Sequence, residues 1–153
     1  MAIRTIVKRG DPVLSKTCRE VEKIDERILQ LLDDMKETMA AANGVGLAAP
    51  QVGVLKRIAV IDVGDGPIEL INPKIIAQSG RQNGAEGCLS VPGVFGEVER
   101  PMHVTVQTQN RDGETVQLVG HELLARAFCH EIEHLDGKLF LSRVTRFLDP
   151  EEE

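Results

Sequence analysis

Tryptophan and tyrosine are absent from this 153-residue chain, and only four phenylalanines stand in for them. A core must therefore rest on Ile, Val, Leu and Met, and the surface has few rings on which nucleic-acid bases could stack. A basic stripe is missing too, and the formal net charge is −6. Direct nucleic-acid binding thus starts from a poor electrostatic position. No segment approaches the apolar length of a transmembrane helix. Nor do the first residues, Met1-Ala-Ile-Arg-Thr-Ile-Val-Lys-Arg-Gly10, carry an apolar run of signal-peptide length. Cysteines are few and odd in number: Cys18, Cys88 and Cys129, without framework spacing. That pattern suits a reducing cytoplasm, where a cysteine is a ligand or a passive core residue rather than half a disulfide.

What is present is ordinary for a soluble globular protein, 42% apolar and 27% charged, and long enough for a real core. Repeats, low-complexity linkers and composition shifts are lacking, so one domain over 1–153 is expected, with an acidic end at 149–153 that frays. Between Asp25 and Asn43 the period is helical: Ile28, Leu31, Leu32, Met35 and Met39 fall on one face. Asp25 is a plausible N-cap, Ile24 and Leu29 a hydrophobic staple, and Asn43-Gly44 a stop. Strands are expected at 57–63, 68–72, 74–77, 104–109 and 115–119, with Asp112-Gly113 as a hairpin turn. The helical period returns from Glu122 to about Leu135. Helix, many strands, helix argues for α+β, with helix packed on antiparallel or mixed sheet.

The second helix carries His130-Glu131-Ile132-Glu133-His134, an H-E-x-x-H motif. Residues four apart share a helix face, so both imidazoles can meet one ion. Glu131 stands beside that ion, where a carboxylate can take a proton from water. A chain of this length shows the motif by chance on the order of 1% of the time. Its setting among Leu123, Leu124, Phe128, Ile132 and Leu135 favours a metal, because two buried unpartnered histidines would be costly. Hydrolytic sites usually have three protein ligands and an open position. The third could be Glu, His or Cys. Neither His103 nor His121 lies in a motif that nominates it. Cys88, in Glu86-Gly87-Cys88-Leu89-Ser90, is better placed, a soft ligand beside a permissive glycine, although a lone cysteine is ordinarily a buried apolar residue. A further segment, Gly44-Val45-Gly46-Leu47-Ala48-Ala49-Pro50-Gln51, lacks the ending of a phosphate loop. Its Gln51 offers an amide donor that could serve an oxyanion.

Together these segments resemble peptide deformylase, which removes the formyl group from the initiator methionine of new bacterial proteins. The likeness runs from Gly10-Asp-Pro-Val-Leu14 through 44–51 and 86–90 to 130–137. The resemblance implies an α+β fold around a buried motif helix. It implies one divalent ion on Cys88, His130 and His134: Fe(II) in the cell, replaceable by Zn(II), Ni(II) or Co(II). Glu131 would be general base and acid, and Gln51 with the Leu89 N–H would hold the oxyanion. Ala127 and Arg126, three and four residues before His130, join Val45 and Gly46 as candidates for the wall of a methionine slot. Glu86 and Arg100 resemble a structural ion pair steadying the cysteine segment, two solvated charges being the plain alternative. The implied substrates are N-formylmethionyl nascent peptides, met in the cytoplasm by a monomer through transient ribosome contact, without a membrane. Two positions depart from the family's pattern: Cys129 stands where Gln is usual, and Glu133 where Asp is frequent. Cys129 lies roughly 100° around the helix from His130 and reads as core rather than a fourth ligand. The rival readings are a zinc peptidase built on the same helix and a non-catalytic protein that keeps a metal for folding.

Overall fold

The computed structural model describes residues 2–149. The acidic end expected to fray lies outside them, apart from Asp149. The first helix, α1 (Glu26–Ala41), begins where Asp25 accepts the Ile28 N–H at 3.1 Å. Its apolar stripe, Ile28, Leu31, Leu32, Met35 and Met39, is buried. At its end the left-handed residue is Asn43, with φ 56°, and not the glycine that follows. Gly44 answers a different need: a Cβ there would lie 2.7 Å from Leu89 Cδ1.

Among the described residues eight strands form two antiparallel sheets. The larger has the order β1 (Gly46–Ala48), β2 (Ile58–Ile61), β3 (Ile68–Ser79), β6 (His103–Gln109), β7 (Thr115–His121). The smaller has the order β4 (Gln82–Cys88), β5 (Val91–Arg100), β8 (Val144–Leu148). The second helix, α2 (Leu123–Leu135), packs on one face of the larger sheet. Its Ala125, Phe128, Cys129, Ile132 and Leu135 meet Ala48, Ala59, Ile61, Leu70, Val104 and Val106. On the opposite face α1 covers Leu47, Ile58, Val60 and Ile71. With helices on both sides, β2 is buried at every residue, which is why it reads as an unbroken apolar run. A third cluster, Val91, Val98 and Phe140, seals the smaller sheet.

Two expectations are corrected. The segments 68–72 and 74–77 are one strand, β3, whose register shifts between Ile71 and Lys74. At the shift Asn72 has φ 52°, and its side chain exchanges hydrogen bonds with Val21, accepting the N–H at 2.7 Å and donating to the carbonyl at 2.9 Å. That tie stabilises an irregularity which, beside Pro73, looks in sequence like a break. The β4–β5 hairpin, β8 and the short β1 were not expected. The β4 segment, Gln82-Asn-Gly-Ala-Glu-Gly-Cys88, holds no β-branched residue, and its extended form comes from pairing with β5.

Candidate metal centre and active site

The α2 helix brings His130 and His134 to one face, with ring centroids 5.0 Å apart. Cys88 arrives from the end of β4, where a register shift follows Glu86 and Cys88 pairs with Val91. Its Sγ lies 3.3 Å from His134 Nε2. One ligand atom from each of Cys88, His130 and His134 falls within 4.8 Å of the others. It is the one such group of three among the described residues. Both imidazoles are buried, and Phe140 stacks on His130 at 5.9 Å between centroids. Cys129, by contrast, lies in the apolar cluster between α2 and the sheet. Burial pushes its thiol above the ordinary range, as expected of an inert core cysteine.

Orientation of His130 comes from Glu86. The His130 Nδ1 lies 2.8 Å from Glu86 Oε1, leaving Nε2 for the cluster. Glu86 is in turn gripped by two guanidiniums. Arg100 is bidentate, Nε to Oε2 at 2.7 Å and Nη2 to Oε1 at 2.9 Å. Arg126 adds Nη1 to Oε2 at 2.7 Å. Burial opposes ionisation of Glu86, but Arg100 and His130 outweigh it and hold the carboxyl far below the usual range. Glu86 and Arg100 are thus a buried pair and not two solvated charges. Arg100 also donates to Glu133 at 2.5 Å, and Glu133 accepts from Arg143 as well. Glu133 therefore steadies the cation that steadies Glu86.

Glu131 lies on the cleft side, with Oε2 4.0 Å from His130 Nε2. The strand β1 passes so close that a Cβ on Gly46 would fall 2.4 Å from Glu131 Oε2. Glycine at 46 is what lets the carboxylate and the β1 backbone share this space. Glu131 Oε1 is buried without a hydrogen-bond partner among the described residues. Burial, reinforced by the Glu86 charge and opposed by His130, pushes the Glu131 carboxyl up to about 7. Gln51 is locked: its Oε1 accepts the Ala48 N–H at 2.9 Å, and its Nε2 donates to Ser90 Oγ at 3.0 Å. The same Nε2 lies 3.5 Å from Cys88 Sγ, which puts an amide donor beside the cluster.

These groups open into a cleft of about 590 Å³. Val45, Gly46, Gln51, Cys88, Leu89, Arg126, Ala127, His130 and Glu131 all border it, together with apolar residues such as Ile6, Val91 and Leu123. Arg126 borders the cleft, but its guanidinium turns away onto Glu86 and the Val98 carbonyl. Sequence reasoning missed that tie, and it missed Ser90 and Arg143. The signal for Arg126 was its place one turn before His130, within reach of whatever anchors that histidine.

The arrangement suits a divalent transition ion. Burial alone would lower His130, yet Glu131, Cys88 and Glu86 together hold it well above its usual value. Burial, then the neighbouring His130, keeps His134 well below the ordinary range and so neutral. A thiol and two imidazoles converging in one pocket fit a soft or borderline cation better than Mg(II) or Ca(II). Three protein donors would leave one position of a four-coordinate ion open, the pattern of catalytic rather than structural sites.

A family model described as polypeptide deformylase matches residues 3–149. A peptide deformylase of Acetivibrio thermocellus is 62% identical over 152 residues, which are 99% of this chain and 89% of the relative. Among solved structures, the peptide deformylase from Thermotoga maritima superposes with a TM-score of 0.92 at 43% identity, covering 94% of this chain and 98% of its own. That from Ehrlichia chaffeensis in complex with actinonin does so with 0.92 at 43% identity, covering 95% and 90%. With the family model matching residues 3–149 and the fold shared over 94% of the chain, the chain belongs to the peptide deformylase family.

Proposed function

We propose that this chain is a metal-dependent hydrolase that removes the formyl group from N-formylmethionyl peptides and releases formate, with its ion on Cys88, His130 and His134. The observation that carries the reading is the convergence of those three donors beside a buried carboxylate at the floor of an apolar cleft. One divalent ion there, Fe(II) in the cell with Zn(II), Ni(II) or Co(II) as substitutes, supplies Lewis acidity for water and for the formyl oxygen. Glu131 accepts the proton of the attacking water and delivers it to the amine of methionine as the C–N bond breaks. Gln51 Nε2 and the Leu89 N–H donate to the formyl oxygen as it gains charge. Glu86, clamped by Arg100 and Arg126, holds the His130 ring in the orientation that presents Nε2. Val45, Gly46, Ala127 and the flank of Arg126 form the apolar slot for the methionine side chain.

The small size of a formyl group fits the crowding between β1 and Glu131. One extra methyl in a tight site is worth roughly 10–200-fold. Formate release from a formyl-Met tripeptide should therefore proceed at least ~10-fold faster than acetate release from the acetyl-Met equivalent. Cleavage of internal peptide bonds at a comparable rate would instead favour a peptidase. No helix of the described residues is long and apolar enough to cross a membrane. The reading places the chain in the cytoplasm as a monomer that meets nascent peptides through transient ribosome contact. With a net charge of −6, it does so without gripping RNA.

A further inference from the structure

Two of the four histidines have no part in the deformylase reading, and they stand opposite each other. His103 opens β6, His121 closes β7, and the two are direct cross-strand partners. Both are exposed. Their Nδ1 atoms lie 2.8 Å apart, with the rings edge to face at 4.9 Å between centroids. At that distance one Nδ1 carries a proton and the other accepts it. Between exposed neutral groups such a bond contributes little net stability, because water competes for both partners.

The backbone around the pair is pinned. The Met102 N–H donates to the Ser79 carbonyl at 3.1 Å, and the Glu122 N–H to the Met102 carbonyl at 2.9 Å. Gln82 Nε2 donates to the Glu122 carbonyl at 2.7 Å. The residue before His103 and the residue after His121 are thus tied together. The backbone positions that carry the two rings are therefore held opposite each other by the sheet and by these bonds.

We propose that His103 and His121 form a second, surface metal site that takes one borderline transition ion such as Ni(II), Cu(II) or Zn(II). Two imidazole nitrogens bound at about 2.0–2.1 Å to one ion stand roughly 2.9–3.4 Å apart for the usual square or tetrahedral angles. The observed 2.8 Å reaches that range with a small side-chain rotation. The ring that carries its proton on Nδ1 shifts to the Nε2–H form, so both Nδ1 lone pairs meet the ion and no net proton is lost. Hard cations are excluded, since Mg(II) and Ca(II) require oxygen donors. No third His, Cys, Asp or Glu among the described residues completes this pair into a group of three. Water fills the remaining positions, and the site binds more weakly and exchanges faster than the centre at Cys88. Affinity should follow the usual order of the divalent ions, Cu(II) above Ni(II) and Zn(II).

The test uses the whole chain loaded with Ni(II), followed by equilibrium dialysis against a rising Ni(II) series with bound metal counted per chain. Wild type should take up two equivalents in two phases. His103→Gln and His121→Gln should each stop at one equivalent, with formate release by the loaded enzyme unchanged. Cys88→Ala should keep the weaker equivalent, which separates failure of this site from failure of the catalytic assignment. A single phase ending at one equivalent in wild type overturns the proposal. So does a second equivalent that survives both histidine substitutions.

Discussion

Glu131→Ala should keep a full equivalent of metal and lose ~10²–10⁴-fold in deformylation, towards the upper end of what general acid–base catalysis supplies. The side chain takes part in both proton movements of the reaction as we read it, and it is not among the three converging donors. Truncation removes a buried carboxylate oxygen that has no hydrogen-bond partner among the described residues. The fold should therefore survive, and the loss should appear in kcat more than in KM. Formate release and metal content measured on one sample decide the matter. Near-normal turnover with full metal would remove Glu131 from the proton pathway.

Cys88→Ala should lose the ion and fall to the activity of the metal-stripped chain. The thiol lies 3.3 Å from His134 Nε2, and no other cysteine is in the donor group. Cys18 and Cys129 serve as controls. Both are buried in the apolar cluster beneath α2, and burial pushes the Cys18 thiol up to about 11. Their alanine variants should retain metal and activity, with a stability cost of about 1 kcal/mol for a small core truncation. If stripped Cys88→Ala rebinds Fe(II) or Zn(II) as tightly as wild type, the thiol is not a ligand.

The parts of the fold legible in the sequence were those with a strong local period. The stripe of α1, the H-E-x-x-H helix and the alternating β6 and β7 each announce themselves within a few residues. The β4–β5 hairpin did not, although it delivers Cys88. Its first strand is small and polar and depends on a partner for its shape. Asn72 and Pro73 look like an end, whereas the pairing with β6 and the hydrogen bonds exchanged with Val21 reveal a bulge within a continuing strand. The same limit applies at the site. Spacing put His130 and His134 on one face, and the ordered motifs nominated Cys88, Gln51 and Glu131. Spacing also put Arg126 on that face, but it could not reveal that Glu86 draws its guanidinium away from the cleft. Nor could it reveal that Glu133 and Arg143 buttress Arg100 from outside. Those ties link residues up to 40 positions apart, and only the packed fold brings them together.

The central claim is that one ion at Cys88, His130 and His134 drives hydrolysis of the formyl amide. Stripped chain titrated with Fe(II) under anaerobic conditions, with formate release from a formyl-Met tripeptide followed at each addition, tests it most directly. The account predicts negligible release at zero metal, a linear rise, and a break at one equivalent per chain. Full activity in the stripped chain, or a rise that never breaks near one equivalent, would contradict it.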